Sequence, residues 1–175
     1  LNTAKRTDEN YSVLGNTDSY SRSIRKDMWK AISPSLNMSY KLSEKSEIGF
    51  NYLFTHQNPD MDIVNTTNYF QNNQNIQNLF TNTQHREKNT MNTLSVYYDL
   101  KLDSIGKKLS ITGNYYSNDE STNVNFNTLK STDQSIDFVK TLSFIKPEIF
   151  SGQADLELPY SFGTIETGGK YYQFK

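Results

Sequence analysis

Apolar and polar residues alternate along much of this chain from Ser35 onward, in blocks of about ten residues. Ser35 to Leu42 sets Leu36, Met38, Tyr40 and Leu42 on one face and Ser35, Asn37, Ser39 and Lys41 on the other. Beyond the polar link Ser43 to Ser46, Ile48, Phe50, Tyr52 and Phe54 share a face, opposite Glu47, Gly49, Asn51 and Thr55. Leu94, Val96, Tyr98, Leu100 and Leu102 repeat the pattern and lead into the turn Asp103 to Lys107. Leu109, Ile111, Gly113 and Tyr115 follow it. A last block carries Phe150, Gly152, Ala154, Leu156, Leu158 and Tyr160, turns at Ser161 to Gly163, and returns from Thr164 to Phe174. Side chains alternate across a strand, so each block predicts a strand with one apolar face. Pairs of such blocks joined by short polar links predict β-hairpins.

Two polar stretches separate these pairs, from about His56 to Thr90 and from about Ser117 to Glu148. They read as long loops, and Asp60 to Lys88 is expected to be mobile. Residues 1–34 are polar, with Tyr11, Val13, Met28 and Trp29 among charges, and read as a polar loop or a strand remnant. Ile136, Phe138, Leu142 and Phe144 share parity. They allow either a strand rising above the membrane or an extra strand before Lys146-Pro147-Glu148.

Residues 35–175 therefore predict three antiparallel hairpins, with short and long connections in strict alternation. That order is the signature of an up-and-down transmembrane β-barrel, in which strands of about 9–11 residues cross the membrane. Asn51, Asp99, Asp155, Glu166 and Lys170 fall on the polar faces and are expected to face the lumen. About six strands fall short of the eight of the smallest such barrels. The chain is therefore expected to be a segment of a larger barrel. The same alternation also fits a half-buried sheet of a soluble protein. Two alternatives stand beside the segment: a small closed outer-membrane barrel with a structural or adhesion role, and a soluble carbohydrate-binding β-sandwich.

Composition changes this picture little. The mean hydropathy is -0.75, which suits a barrel because only every second strand residue meets lipid. No apolar run is long enough for a transmembrane helix. The 20 Asn, 12 Tyr and 10 Phe suit wet surfaces and aromatic girdles. A net charge of -1 gives no reason to expect nucleic-acid binding. Zero Cys excludes disulfides and thiolate metal sites.

Candidate chemistry is sparse. His56 and His85 match no zinc spacing, and no nucleophile elbow or phosphate loop is present. No enzyme activity, cofactor or metal is expected. Tyr69, Phe70 and Phe80 are apolar residues within the Asn-rich stretch. They are either a ligand-contacting platform for sugar or peptide, or the packing core of a loop.

Ile149 to Tyr160 resembles the strand written "sAKaDYtyPl" in the outer-membrane β-barrel family of Bacteroidota, and Ile165 to Tyr171 resembles the "lEaGaKYs" strand that follows it. Leu94 to Asp103 with Gly106 to Ser110 is similar to that family's "lnlnYdYklDekGktLsl" hairpin. The resemblance spans about Leu36 to Lys175. It implies a TonB-dependent receptor-like barrel in the outer membrane, taking up a nutrient or other external ligand. The implied partners are outer-membrane lipid and, through a plug domain N-terminal to this barrel, TonB. No plug motif or TonB box lies within the chain.

Overall fold

The computed structural model describes residues 2–175. Nine strands form: β1 (Asn2–Leu14), β2 (Thr17–Ile32), β3 (Ser35–Lys41), β4 (Ser46–Gln71), β5 (Gln74–Lys101), β6 (Lys108–Lys130), β7 (Ile136–Ile145), β8 (Glu148–Tyr160) and β9 (Gly163–Phe174). All belong to one antiparallel sheet, ordered β1-β2-β4-β5-β6-β8-β9, with β3 also paired to β4 and β7 to β6. Among the described residues β1 and β9 end this order without pairing to each other. Among the described residues no helix is long and apolar enough to cross a membrane.

Three expectations are corrected. The stretches read as long loops are strand: β4 and β5 meet across Asn72 and Asn73, and β6 runs on to Lys130. Residues 1–34 hold a full hairpin of β1 and β2 rather than a loop or remnant. The strand count is nine rather than about six. For β1, β2 and the parts of β4, β5 and β6 within residues 56–130 the cause is the same: polar residues occupy both faces, so no parity marks them. Ile136–Ile145 takes the alternative of an extra strand.

The chain divides into two compact units. The first holds Leu1–Ala31, Gln57–Asn89 and Glu120–Phe144. Amides and hydroxyls bind its strands together. Asn65 Nδ2 donates to Ser23 Oγ at 2.8 Å and to Ser21 Oγ at 3.1 Å, and Thr81 meets Thr128 at 3.0 Å. Charge pairs add to this: Arg6 to Asp8 and Arg25 to Asp27, each at 2.7 Å, flank the like-charged rung Arg6–Arg25 and offset its repulsion. Lys130 reaches Asp137 at 2.6 Å, and that hydrogen bond holds the ammonium above its ordinary pKa. The turns are tight. Gly15 takes a φ of +62°, and Asn72 and Asn73 take +50° and +63°, the pair of left-handed residues of a type I′ hairpin turn.

The second unit holds Ile32–His56, Thr90–Asp119 and Ile145–Lys175. Prolines limit two of its strands. Pro34 and Pro147 lack an N–H, yet their carbonyls accept from Phe54 N–H and Asn118 N–H, each at 3.1 Å. The Asp103 turn is held by one carboxylate oxygen that accepts from the N–H groups of Ile105, Gly106 and Lys107 at 2.9, 3.1 and 3.0 Å. The Lys107 N–H foremost, and that of Ile105, hold its carboxyl below the usual carboxylate range. Gly106 supplies the φ of +111° that the turn requires.

No hydrophobic side chain among the described residues is buried. Within each unit the described strands belong to this one sheet, with no second layer over it.

Candidate functional site

The second unit presents two chemically opposite faces, and the strand registers define them. Leu36, Met38 and Tyr40 of β3 stand opposite Tyr52, Phe50 and Ile48 of β4. Leu109, Ile111 and Tyr115 of β6 stand opposite Leu156, Ala154 and Phe150 of β8, and Leu158 opposite Ile165 of β9. This apolar face lies open: Met38 is 57 % exposed, Val96 41 %, Ile111 44 % and Phe150 45 %. Tyr115 and Phe150 pack ring to ring at 4.8 Å. From Phe150 to Tyr160 the apolar row of β8 runs about 33 Å, at about 3.3 Å per residue. A strand tilted by about 40° covers about 25 Å with that length, the height of a barrel's lipid-facing band.

The other face is polar, and the five residues expected to line a lumen share it. Asn51 stands opposite Asn37. Asp99 pairs with Lys108 at 3.1 Å. Lys108 lies across from Glu157, and Glu157 across from Glu166, so one rung carries a cation and two carboxylates. Asp155 stands opposite Ser110 on one side and Gly168 on the other, and accepts from Gln153 Nε2 at 2.7 Å. Lys170, across from Gln153, lies 4.8 Å over the ring of Tyr172.

Two further arrangements order this face. Ser95 donates to Asn114 Oδ1 at 2.7 Å, and Asn114 Nδ2 donates to Ser151 at 3.2 Å, a polar rung across β5, β6 and β8. The Tyr97 ring lies over Gly49, where any Cβ would collide with it, and its hydroxyl reaches Glu47 at 3.4 Å. The sequence signals this only through a glycine inside an otherwise regular strand. Chemically, the face is a polar wall of mixed charge. It suits weak contact with polar solutes more than a single tight ligand.

Tyr69, Phe70 and Phe80 do not all share one face of the sheet. Tyr69 and Phe70 are consecutive in β4, and successive strand side chains point to opposite faces. Among the described residues the paired rings are Tyr115 with Phe150, Tyr160 with Phe162 and Tyr172 with Phe174, none of them from this trio. The histidines have local partners: His56 Nδ1 meets Thr90 Oγ1 at 2.9 Å, and His85 Nε2 meets Glu87 at 3.3 Å. Among the described residues no group of three His, Asp or Glu is placed to hold a metal.

In comparisons with known proteins, no family model and no curated protein matches this chain.

Proposed function

We propose that this chain is a wall segment of an outer-membrane β-barrel of the TonB-dependent receptor type, serving uptake of a nutrient or other external ligand. The observation that carries this reading is the uncovered apolar face of the second unit, about 25 Å tall on tilted strands and backed by a polar face. Water would penalise so large an exposed apolar patch, whereas lipid covers it. The first unit supports the reading from its own side: its part of β5 has Asn82, Gln84, Arg86 and Lys88 at even positions, where the second unit has Leu94, Val96, Tyr98 and Leu100. A strand leaving hydrocarbon for water needs such a change. In the second unit β3 and β9 are edges, and hydrocarbon cannot satisfy edge backbone groups. Further strands of the same barrel would pair with them.

The proposed partners are outer-membrane lipid, a plug domain gating the lumen, and TonB. Asn51, Asp99, Asp155, Glu166 and Lys170 would line the lumen on this reading. The soluble sandwich needs a second sheet over the apolar face, and all nine strands lie in one sheet.

This segment has no cysteine, so an introduced cysteine is its only thiol. An impermeant maleimide on intact cells is expected to label Ser131→Cys and not Ser104→Cys, with the protein in the outer-membrane fraction. Labelling of both sites on protein recovered from the soluble fraction overturns the membrane reading. Cross-linking of the intact protein to TonB tests the receptor assignment. Its failure in a correctly inserted protein moves the reading to a structural or adhesion barrel.

A further inference from the structure

The first unit contains a groove of about 440 Å³ that no part of the uptake reading uses. Its volume lies within the ~300–1,000 Å³ of small-molecule sites. β4 contributes Asn58 and Asp60, β5 contributes Lys88, β6 contributes Asn123, and β7 contributes Leu142 and Phe144. Three observations define what it would hold. First, Asn58 Oδ1 and Asn123 Oδ1 are buried from solvent and find no hydrogen-bond donor in the protein. Buried acceptors without donors are costly, so the site favours a ligand rich in O–H or N–H groups. Second, the charged residues of the lining balance, Asp60 and Glu87 against Arg86 and Lys88. Arg86 is also held by Asp62 at 2.6 Å and by the carbonyls of Met61 and His85. The groove therefore offers no surplus cation to an anionic ligand. Third, Leu142 and Phe144 give one wall an apolar surface, with Phe144 67 % exposed.

We infer that this groove binds a neutral saccharide. Ring hydroxyls would donate to Asn58 and Asn123, and the C–H face of a sugar ring would lie against Phe144. The same chemistry is offered by a free glycan and by the sugar headgroup of a glycolipid. No motif in the sequence marks these groove residues as a saccharide site.

Calorimetric titration of the intact protein in detergent tests the inference, with short neutral α-glucan, β-glucan and mannan oligosaccharides as probes. Binding of at least one probe is expected with a Kd at or below about 1 mM. Asn58→Ala and Asn123→Ala are each expected to weaken it about tenfold, the loss of one hydrogen bond. Phe144→Ala is expected to weaken it as well, and this exposed position is the least able to disturb the fold. Lipopolysaccharide in the same detergent separates the sources: binding weakened by the same substitutions also supports the site and names a headgroup as ligand. The inference is overturned if neither the neutral probes nor lipopolysaccharide binds, if binding survives all three substitutions, or if polygalacturonate oligomers bind more tightly than the neutral ones.

Discussion

Phe50 and Asn51 are neighbours in β4 and stand on opposite faces, Phe50 across from Met38 and Asn51 across from Asn37. The membrane reading makes them unequal under the same substitution. Arginine on the lipid face near the midplane costs about 2–4 kcal/mol, roughly thirty- to a thousandfold in the folding equilibrium. Arginine on a wet lumen face displaces little. In water, a part-exposed position such as Phe50 would change stability by about 0.5 kcal/mol or less. Phe50→Arg is therefore expected to impair assembly of the intact protein strongly, and Asn51→Arg to leave it nearly unchanged. Urea-induced unfolding from lipid vesicles measures both. Equal stability of the two variants would refute the argument, because no lipid face then distinguishes the positions.

Other predictions follow from local geometry. Gly168→Ala places a Cβ against Asp155 and 2.7 Å from the Ala154 carbonyl. It should destabilise by about 1–3 kcal/mol, while Gly169→Ala, with open space around it, should be neutral or stabilising by up to about 1 kcal/mol in the same urea assay. The Asp103 carboxyl, lowered chiefly by the Lys107 N–H, should titrate by NMR below the usual carboxylate range. Its contribution to the turn is complete above the ordinary value and is lost as pH falls through the folded one; Asp103→Ala should speed amide exchange at Gly106 and Lys107. Replacing Asn72 and Asn73 by valine forces β-branched residues into the left-handed region at about 1–2 kcal/mol each. Amide exchange at the β4–β5 tip should rise, and Asn73→Gly should leave it unchanged.

The hairpins of the second unit are legible in the sequence because one of their faces must be apolar. Leu36 to Leu42 with Ile48 to Phe54, and Leu94 to Leu102 with Leu109 to Tyr115, mark both the strands and their faces. The grouping of Asn51, Asp99, Asp155, Glu166 and Lys170 on one face follows from that parity. The first unit hides from the same reasoning. Arg6 pairs with Arg25 and Glu9 with Arg22, so polar side chains occupy both faces and a run of Asn, Ser and Thr resembles a loop. Better signals lay in the turn dipeptides Gly15–Asn16 and Asn72–Asn73, which accommodate the backbone of two-residue hairpin turns. Closeness in sequence groups the aromatic trio, whereas Tyr69 and Phe70, consecutive in β4, point to opposite faces of the sheet. The groove escapes for a similar reason: Asn58, Asn123 and Phe144 come together only through the pairing of strands distant in sequence.

The central claim is that the apolar face of the second unit lies in lipid, and β5 offers the most direct measurement. Spin labels placed one at a time from Thr93 to Leu102 in the reconstituted intact protein report access to oxygen and to a polar quencher. The account predicts a period of two: oxygen favoured at 94, 96, 98 and 100, and the polar reagent at 93, 95, 97 and 99. Equal access of the polar reagent to both sets would contradict it and place this sheet in water.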